Sequence, residues 1–231
     1  MTFGLPNTSE TNQRLLESLQ GALIASLHRH PLLLVIRPDS EDLDRGCLSS
    51  HLLSQLDRVQ DMGLRHLEMA WMSHPGWCDL VEDLRVRFKD VLVGAASVVS
   101  AEAVDAVSRL HLPYSMSPCL DPALLSRAAQ KGVFLVPGVF SPSEVMQAMQ
   151  LGCGVVKLFP AAELGPSYWS RLQAPLGNLP FVIAAGGLVP ADIRPWLDAG
   201  HGAIALGRRV ISGRSVDAEL LEWLEHSTSI A

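Results

Sequence analysis

Eight short apolar runs divide this chain of 231 residues, and their spacing limits the folds open to it. They read LLLVI (32–36), LRHLEMAW (64–71), VLVGAA (91–96), PYSMS (113–117), VFLVPG (133–138), VVKLFP (155–160), FVIAAGG (181–187) and GAIALG (202–207). Each has the length of a strand, and they recur about every 20 to 30 residues, the size of one strand–helix unit. Between most of them lie segments with helical punctuation. HLLSQLDRVQDMG (51–63) closes on Gly63, PGWCDLVEDLRVRF (75–88) follows the second run, and SAEAVDAVSRL (100–110) opens on a serine cap. DPALLSRAAQKG (121–132) has Asp at the N-cap, Pro at the first helical position and Gly at its end. SPSEVMQAMQLG (141–152), with Ser141 or Ser143 as cap, and VPADIRPWLDAG (189–200) repeat that grammar. One further helix over about 9–29 precedes the first run. There Leu15, Leu16, Leu19, Leu23, Ile24 and Leu27 recur at helical spacing after Ser9 as N-cap.

Alternating strands and helices imply a parallel sheet. The spacing therefore predicts an α/β chain, a (β/α)8 TIM barrel with an extra N-terminal helix, occupying residues 1–231 as a single domain. An open doubly wound sheet is the alternative, but no G-x-G-x-x-G opens its first helix.

Composition narrows the function classes. Hydrophobic residues make up 48% and the net charge is −6. No basic stripe favours nucleic acid, and no apolar run approaches the length of a membrane span. The N-terminal MTFGLPNTSETNQ carries no signal-peptide pattern, so a cytoplasmic protein is expected. Cys47, Cys78, Cys119 and Cys153 are scattered with no C-x-x-C pair, as in reduced cytosolic proteins. The eight histidines form no metal-ligating spacing, so no metal is expected.

One residue breaks the apolar logic. Lys157 lies inside VVKLFP, among Val155, Val156, Leu158 and Phe159. Desolvating an amine costs several kcal/mol or more. Either it snorkels from a strand edge, or its lowered pKa lets the neutral amine attack a carbonyl. Alternation helps choose. Val156 and Leu158 suit the outer face against helices, which sends Lys157 inward with Val155 and Phe159, near the C-terminal mouth where barrel chemistry sits. In the second run Leu67, Met69 and Trp71 suit the outer face, so His66 and Glu68 point inward. Arg37 closes the first run at the same end. Glu68 and Lys157 read together as a catalytic pair, against a buried structural ion pair; His66 lies deeper and reads as a hydrogen-bonded core histidine. AAGGL after the seventh strand and LGRRV after the eighth place Gly186, Gly187, Gly207 and Arg208 where this fold often binds phosphate.

These residues resemble those of the class I aldolases acting on 2-keto-3-deoxy-6-phosphogluconate (KDPG) and 4-hydroxy-2-oxoglutarate (KHG). VPGVFSPSEVMQAMQLGCGVVKLFPAAELGP (136–166) is similar to the family's Schiff-base lysine segment, and GLRHLEMAW to the strand carrying its catalytic glutamate. VLVGAASV, YSMSPCLDPALL and AAGGL resemble its Gly-Ala-Gly-Thr-Val, Ser-Pro-Gly and Thr-Gly-Gly stretches. The resemblance implies that Lys157 forms an imine, that Glu68 moves protons, that Pro118 shapes a pyruvate pocket and that Ser97 helps hold the keto acid; Arg37, from its place at the end of the first strand, and Phe159 are further substrate-binding candidates. It implies a homotrimer, small keto-acid and aldehyde partners, and no cofactor.

The chain also departs from that family. Met72 stands where an arginine usually follows the glutamate by four residues, and Ala185 where a threonine precedes Gly-Gly. Ser97 replaces a threonine, and Arg208 falls in the region of a serine. Met72 is expected to face the barrel mouth on the side of Glu68. The reading is a carbon–carbon lyase working next to a pyruvate unit in a 2-keto-4-hydroxy acid. The alternatives are a catalytically weak or silent barrel binding a phosphorylated metabolite or protein partner, and a phosphate-binding barrel enzyme of other chemistry.

Overall fold

The computed structural model describes residues 9–207, 210–212 and 215–228. Helix α1 (Glu10–Arg29) leads into β1 (Leu32–Ile36), followed by α2 (Ser40–Arg45), α3 (Ser50–Asp61), β2 (His66–Ala70), α4 (Trp77–Arg87) and β3 (Leu92–Ala96). Then come α5 (Ala101–Arg109), β4 (Ser115–Met116), α6 (Pro122–Gln130), β5 (Leu135–Val136), β6 (Gly138–Val139), α7 (Pro142–Gln150) and β7 (Val155–Leu158). The chain continues through α8 (Tyr168–Leu176), β8 (Phe181–Ala185), α9 (Ile193–Asp198) and β9 (Ala203–Leu206). A small antiparallel pair, β10 (Ile211–Ser212) and β11 (Ser215–Val216), precedes α10 (Ala218–Thr228).

The sheet runs β5-β4-β3-β2-β1-β9-β8-β7-β6, every pairing parallel. Its two ends, β5 and β6, are halves of one extended segment interrupted at Pro137, which has no N–H to give a ladder. The first half pairs with β4 and the second with β7, so the ring of eight strands closes through a change of partner at that proline. The chain is thus a (β/α)8 barrel, with α1 added ahead of it.

The alternation read from the sequence divides the core into two layers. Leu32, Leu34, Leu67, Met69, Val93, Val156, Leu158, Val182 and Ile204 join the outer cluster beneath the helices. Leu33, Tyr114, Met116, Val136, Val155, Ile183, Ala185, Ala203 and Ala205 form the inner cluster. Leu23 and Leu27 of α1 belong to the inner cluster, so this helix plugs the N-terminal end of the barrel. It is tied there by polar contacts: the Asn12 amide donates to the Ala129 and Gln130 carbonyls at 3.1 and 2.8 Å, and the Gln20 side chain accepts from Gly154 N–H at 3.0 Å.

The caps follow the punctuation. Ser9, Ser49, Ser100, Asp121 and Ser141 cap α1, α3, α5, α6 and α7. Between the two serines open for α7, Ser141 is the cap: its hydroxyl accepts from Glu144 N–H, and the Glu144 carboxylate returns a bond to Ser141 N–H. Helices α2, α8 and α10 have no counterpart in the sequence reading. Helix α8 carries Pro175 within it, and α2 is only one and a half turns long. Among the described residues no helix is long and apolar enough to cross a membrane.

Candidate active site

All the parallel strands point the same way, so the residues at their C-terminal ends meet at one mouth. Strand β2 brings Glu68 to the barrel interior and β7 brings Lys157. Arg37 follows β1 and Ser97 follows β3; Pro118 and Cys119 lie beyond β4, Phe159 beyond β7, Gly186 and Gly187 beyond β8, and Gly207 beyond β9.

Glu68 is 1% exposed, and neither of its carboxylate oxygens has a hydrogen-bond partner. Burial pushes its pKa up to about 7, against the opposing pull of the Lys157 charge. The apolar setting has a structural cause. Gly94 is the register partner of Glu68 on β3, and a Cβ on Gly94 would lie 2.5 Å from the Tyr114 ring. The missing side chain lets the ring pack against the strand, held by its hydroxyl, which donates to the Leu67 carbonyl at 3.0 Å.

Lys157 is 6% exposed. Burial lowers its pKa; the charges of Glu68 and Cys119 oppose that shift and Arg37 adds to it. Its backbone N–H donates to the Pro137 carbonyl at 2.9 Å, and its Nζ lies 5.4 Å from the centre of the Phe159 ring. Such an amine is neutral more often than a surface lysine, which is the state that attacks a carbonyl. His66, on the same inward face, bonds the Ser26 hydroxyl of α1 at 2.8 Å, and burial lowers its pKa to about 4. It is a core histidine joining α1 to β2.

The rim carries the next group. The Arg37 guanidinium donates to the Ser97 hydroxyl at 3.4 Å. Ser97 has φ of +58°, a left-handed conformation that costs a non-glycine residue about 1–2 kcal/mol. The fold holds that strain at the point where the chain leaves β3 and offers its hydroxyl to Arg37. Met72 does not face Glu68. Strand pairing stops at Ala70, opposite Ala96, and Met72 packs on the outer apolar cluster instead. The alternation that places Glu68 lapses once the ladder ends, and a residue two positions beyond it need not keep its face.

Pro118 was expected at the pyruvate pocket; Cys119 and Gly138 went unread in the sequence. The Pro118–Cys119 peptide lies directly on Gly138, whose Cβ would stand 2.3 Å from the Pro118 carbonyl oxygen. Gly138 is the register partner of Lys157, so this peptide sits one strand from the amine. Cys119 is exposed and exerts a charge effect on Lys157. The Pro-Cys dipeptide was visible, but its nearness to Lys157 depends on a glycine two strands away in the chain.

Gly186 and Gly187 have φ of +93° and +81°, which favours glycine at both. A Cβ on Gly186 would meet the Phe159 ring at 2.8 Å, and one on Gly187 would meet Ala162 at 2.7 Å. The turn is therefore also required by packing. Gly207 has open space around it, and Arg208 lies outside the described residues. Ala185 is buried in the inner cluster. Among the described residues no group of three or more His, Cys, Asp or Glu is placed to hold a metal ion.

The family model described as "Aldolase: KDPG and KHG aldolase" matches residues 26–225. The chain belongs to the KDPG and KHG aldolase family. It is an aldolase, a carbon–carbon lyase. Over 175 residues it is 29% identical to the 2-dehydro-3-deoxy-6-phosphogalactonate aldolase of Escherichia coli K12, covering 75% of this chain and 85% of that protein. It is 28% identical over 136 residues to the KHG/KDPG aldolase of the same organism, covering 58% and 63%. A solved structure described as native KDPGal superposes with a TM-score of 0.69 at 26% identity, covering 86% of this chain and 93% of that one. The KDPG aldolase of Legionella pneumophila, solved with pyruvate captured as a covalent carbinolamine, shares the fold with a TM-score of 0.71 at 21% identity, covering 90% and 97%.

Proposed function

We propose that Lys157 is the Schiff-base lysine of this aldolase, that Glu68 carries its protons, and that the substrate is a 2-keto-4-hydroxy acid bearing a phosphate at its far end. The neutral Lys157 amine attacks the C2 ketone; a proton from the Glu68 carboxyl carries the carbinolamine hydroxyl away as water, which leaves an iminium and a Glu68 carboxylate. Glu68, as carboxylate, takes the C4 hydroxyl proton. The C3–C4 bond breaks, an aldehyde leaves, and the electron pair passes into the iminium to give an enamine. Glu68 returns its proton to C3, and water releases pyruvate and the free lysine. A group whose pKa stands at about 7 suits both halves of that exchange.

Arg37 and Ser97 hold the keto-acid carboxylate, where Pro118 and Phe159 border the three-carbon unit. Gly186, Gly187, Gly207 and Arg208 receive the phosphate. The names of the relatives support a phosphorylated sugar acid. The four free cysteines suit work in the cytoplasm, and the family resemblance supports a homotrimer, which native mass spectrometry tests.

The observation that carries the reading is the buried lysine and buried, unbonded glutamate at one barrel mouth. Pyruvate with borohydride should attach irreversibly to Lys157, found by peptide mapping. An adduct on another residue, or none, removes the Schiff-base assignment.

A further inference from the structure

We infer that the opposite face of the barrel carries a second ligand site, one for a small phosphate monoester with a flat apolar group, held by Arg29, His30 and Arg65 against Trp223. The observation is a pocket of about 240 Å³ at the N-terminal ends of β1 and β2, roofed by α10. Its walls are Arg29 at the end of α1, His30 and Pro31 after it, Met62 to Arg65 from the turn after α3, and Trp223, Leu224 and Ser227 from α10. Among the described residues no carboxylate lines it. The chain as a whole carries a net charge of −6, so a hollow lined by two arginines and a histidine is a local feature of the surface rather than a consequence of composition.

The two guanidiniums act on the imidazole between them. His30 has its pKa lowered, by burial first and then by the charges of Arg65 and Arg29. His66, deeper on β2, feels His30 and Arg29 in the same sense. The α10 residues facing the pocket, Trp223, Leu224 and Ser227, supply no charge. Arg65 spends part of its guanidinium on the Gln60 and Leu64 carbonyls at 3.0 and 2.9 Å, which fixes it at the C-terminal end of α3. Arg29 makes no hydrogen bond or ion pair among the described residues. Like charges gathered round a hollow repel, and a dianion inside it turns that repulsion into attraction. The remaining wall, Trp223 with Met62 and Leu64, is apolar and suits a ring. The volume lies below the about 300–1,000 Å³ of sites for drug-sized ligands, so the ligand is small.

This site does not depend on the catalytic reading. It stands at the start of β1 and β2, whereas Arg37 follows β1 at the other end and Glu68 points to the mouth. A phosphate bound at the mouth therefore leaves the basal pocket untouched, and a local probe separates the two.

The probe is the His30 ring resonance, assigned by its loss in His30→Gln. Titration with phenyl phosphate should move it and raise its midpoint, since an anion favours the imidazolium. Arg29 is exposed at a helix end, so Arg29→Ala should fold normally. It should weaken phenyl phosphate about tenfold or more, the scale of a lost charge-assisted bond, and leave the rate of pyruvate trapping unchanged. Inorganic phosphate should bind more weakly than phenyl phosphate, and Trp223→Ala should close that gap. If millimolar phenyl phosphate leaves His30 unmoved, or binds Arg29→Ala as well as the wild type, there is no such site. Equal affinity for inorganic and phenyl phosphate overturns the ligand class.

Discussion

Glu68 and Lys157 feel each other's charge across the barrel interior, yet neither oxygen of the carboxylate is hydrogen-bonded. A buried pair kept for stability alone would be expected to close into a bonded ion pair, because only good geometry offsets the desolvation of both charges. Here the two remain available to a third partner. Glu68→Gln should keep the shape and lose the proton carrier. Turnover should fall roughly 10²–10⁴-fold, while pyruvate–borohydride labelling of Lys157 persists. Steady-state kinetics beside the trapping assay distinguish this from a structural glutamate, whose replacement would leave turnover intact.

The same residue sets a stability trend. Its carboxyl titrates near 7 in the folded chain against 4.5 as the ordinary value. The fold favours the protonated form, so the unfolded chain releases this proton first as the pH rises. Stability linked to Glu68 is therefore complete below about pH 4.5 and is lost as the pH climbs through 7. Glu68→Gln has no such loss. Urea unfolding of both proteins at pH 5 and pH 8 should show the variant gaining on the wild type at the higher pH, by at most about 3 kcal/mol. A wild type that gains on the variant instead contradicts the buried, unbonded carboxyl.

Much of this site was legible because strand alternation is strict wherever both faces are packed. Val156 and Leu158 had to lie under helices, which left Lys157 only the inside, and Leu67 and Met69 did the same for Glu68. Alternation failed at Met72, where the ladder had ended and nothing enforced the period. Pairwise fits between distant segments left no mark in the pattern. The Tyr114 ring over Gly94 and the Pro118–Cys119 peptide over Gly138 are fits of one side chain or peptide on a glycine of the neighbouring strand, which no periodic pattern records. Pro137 was visible within VFLVPG, but its effect, dividing one strand between two neighbours, depends on where the ring must close. Helices α2 and α8 escaped because one is short and the other contains a proline.

Arg37 is the cation at the rim that bonds Ser97, and Met72, turned outward, offers no substitute. Arg37→Ala should weaken pyruvate in the trapping assay by at least about tenfold, the scale of a lost charge-assisted bond to a carboxylate. Ser97→Ala should have a smaller effect. Met72→Arg should not rescue Arg37→Ala, since position 72 points to the outer layer; rescue would mean that the loop turns inward when pyruvate binds.

Gly94→Ala tests how Glu68 is kept dry. The new methyl would stand 2.5 Å from the Tyr114 ring, whose hydroxyl is anchored to the Leu67 carbonyl. Crowding of this kind destabilises by about 1–3 kcal/mol. Because the displaced ring lies beside β2, the pH dependence of turnover should shift as well, with the limb assigned to Glu68 moving down as water reaches the carboxyl. Thermal unfolding and a pH–rate profile read the two effects. An unchanged profile in a destabilised variant separates Tyr114 from Glu68.

The phosphate end is tested by a comparison of substrates. Gly187 is exposed, with a left-handed φ and Ala162 in the way of any side chain, so Gly187→Ala should displace the turn after β8. Gly207 has free space, and Gly207→Ala adds only a methyl at the mouth. If that turn receives a phosphate through its backbone N–H groups, Gly187→Ala should raise KM for a phosphorylated 2-keto-4-hydroxy acid far more than for the unphosphorylated acid, and leave pyruvate trapping unchanged. Arg208→Ala should show the same selectivity. Equal loss on both substrates in both variants would mean that these residues shape the mouth without binding phosphate, and the substrate would then be sought among unphosphorylated keto acids.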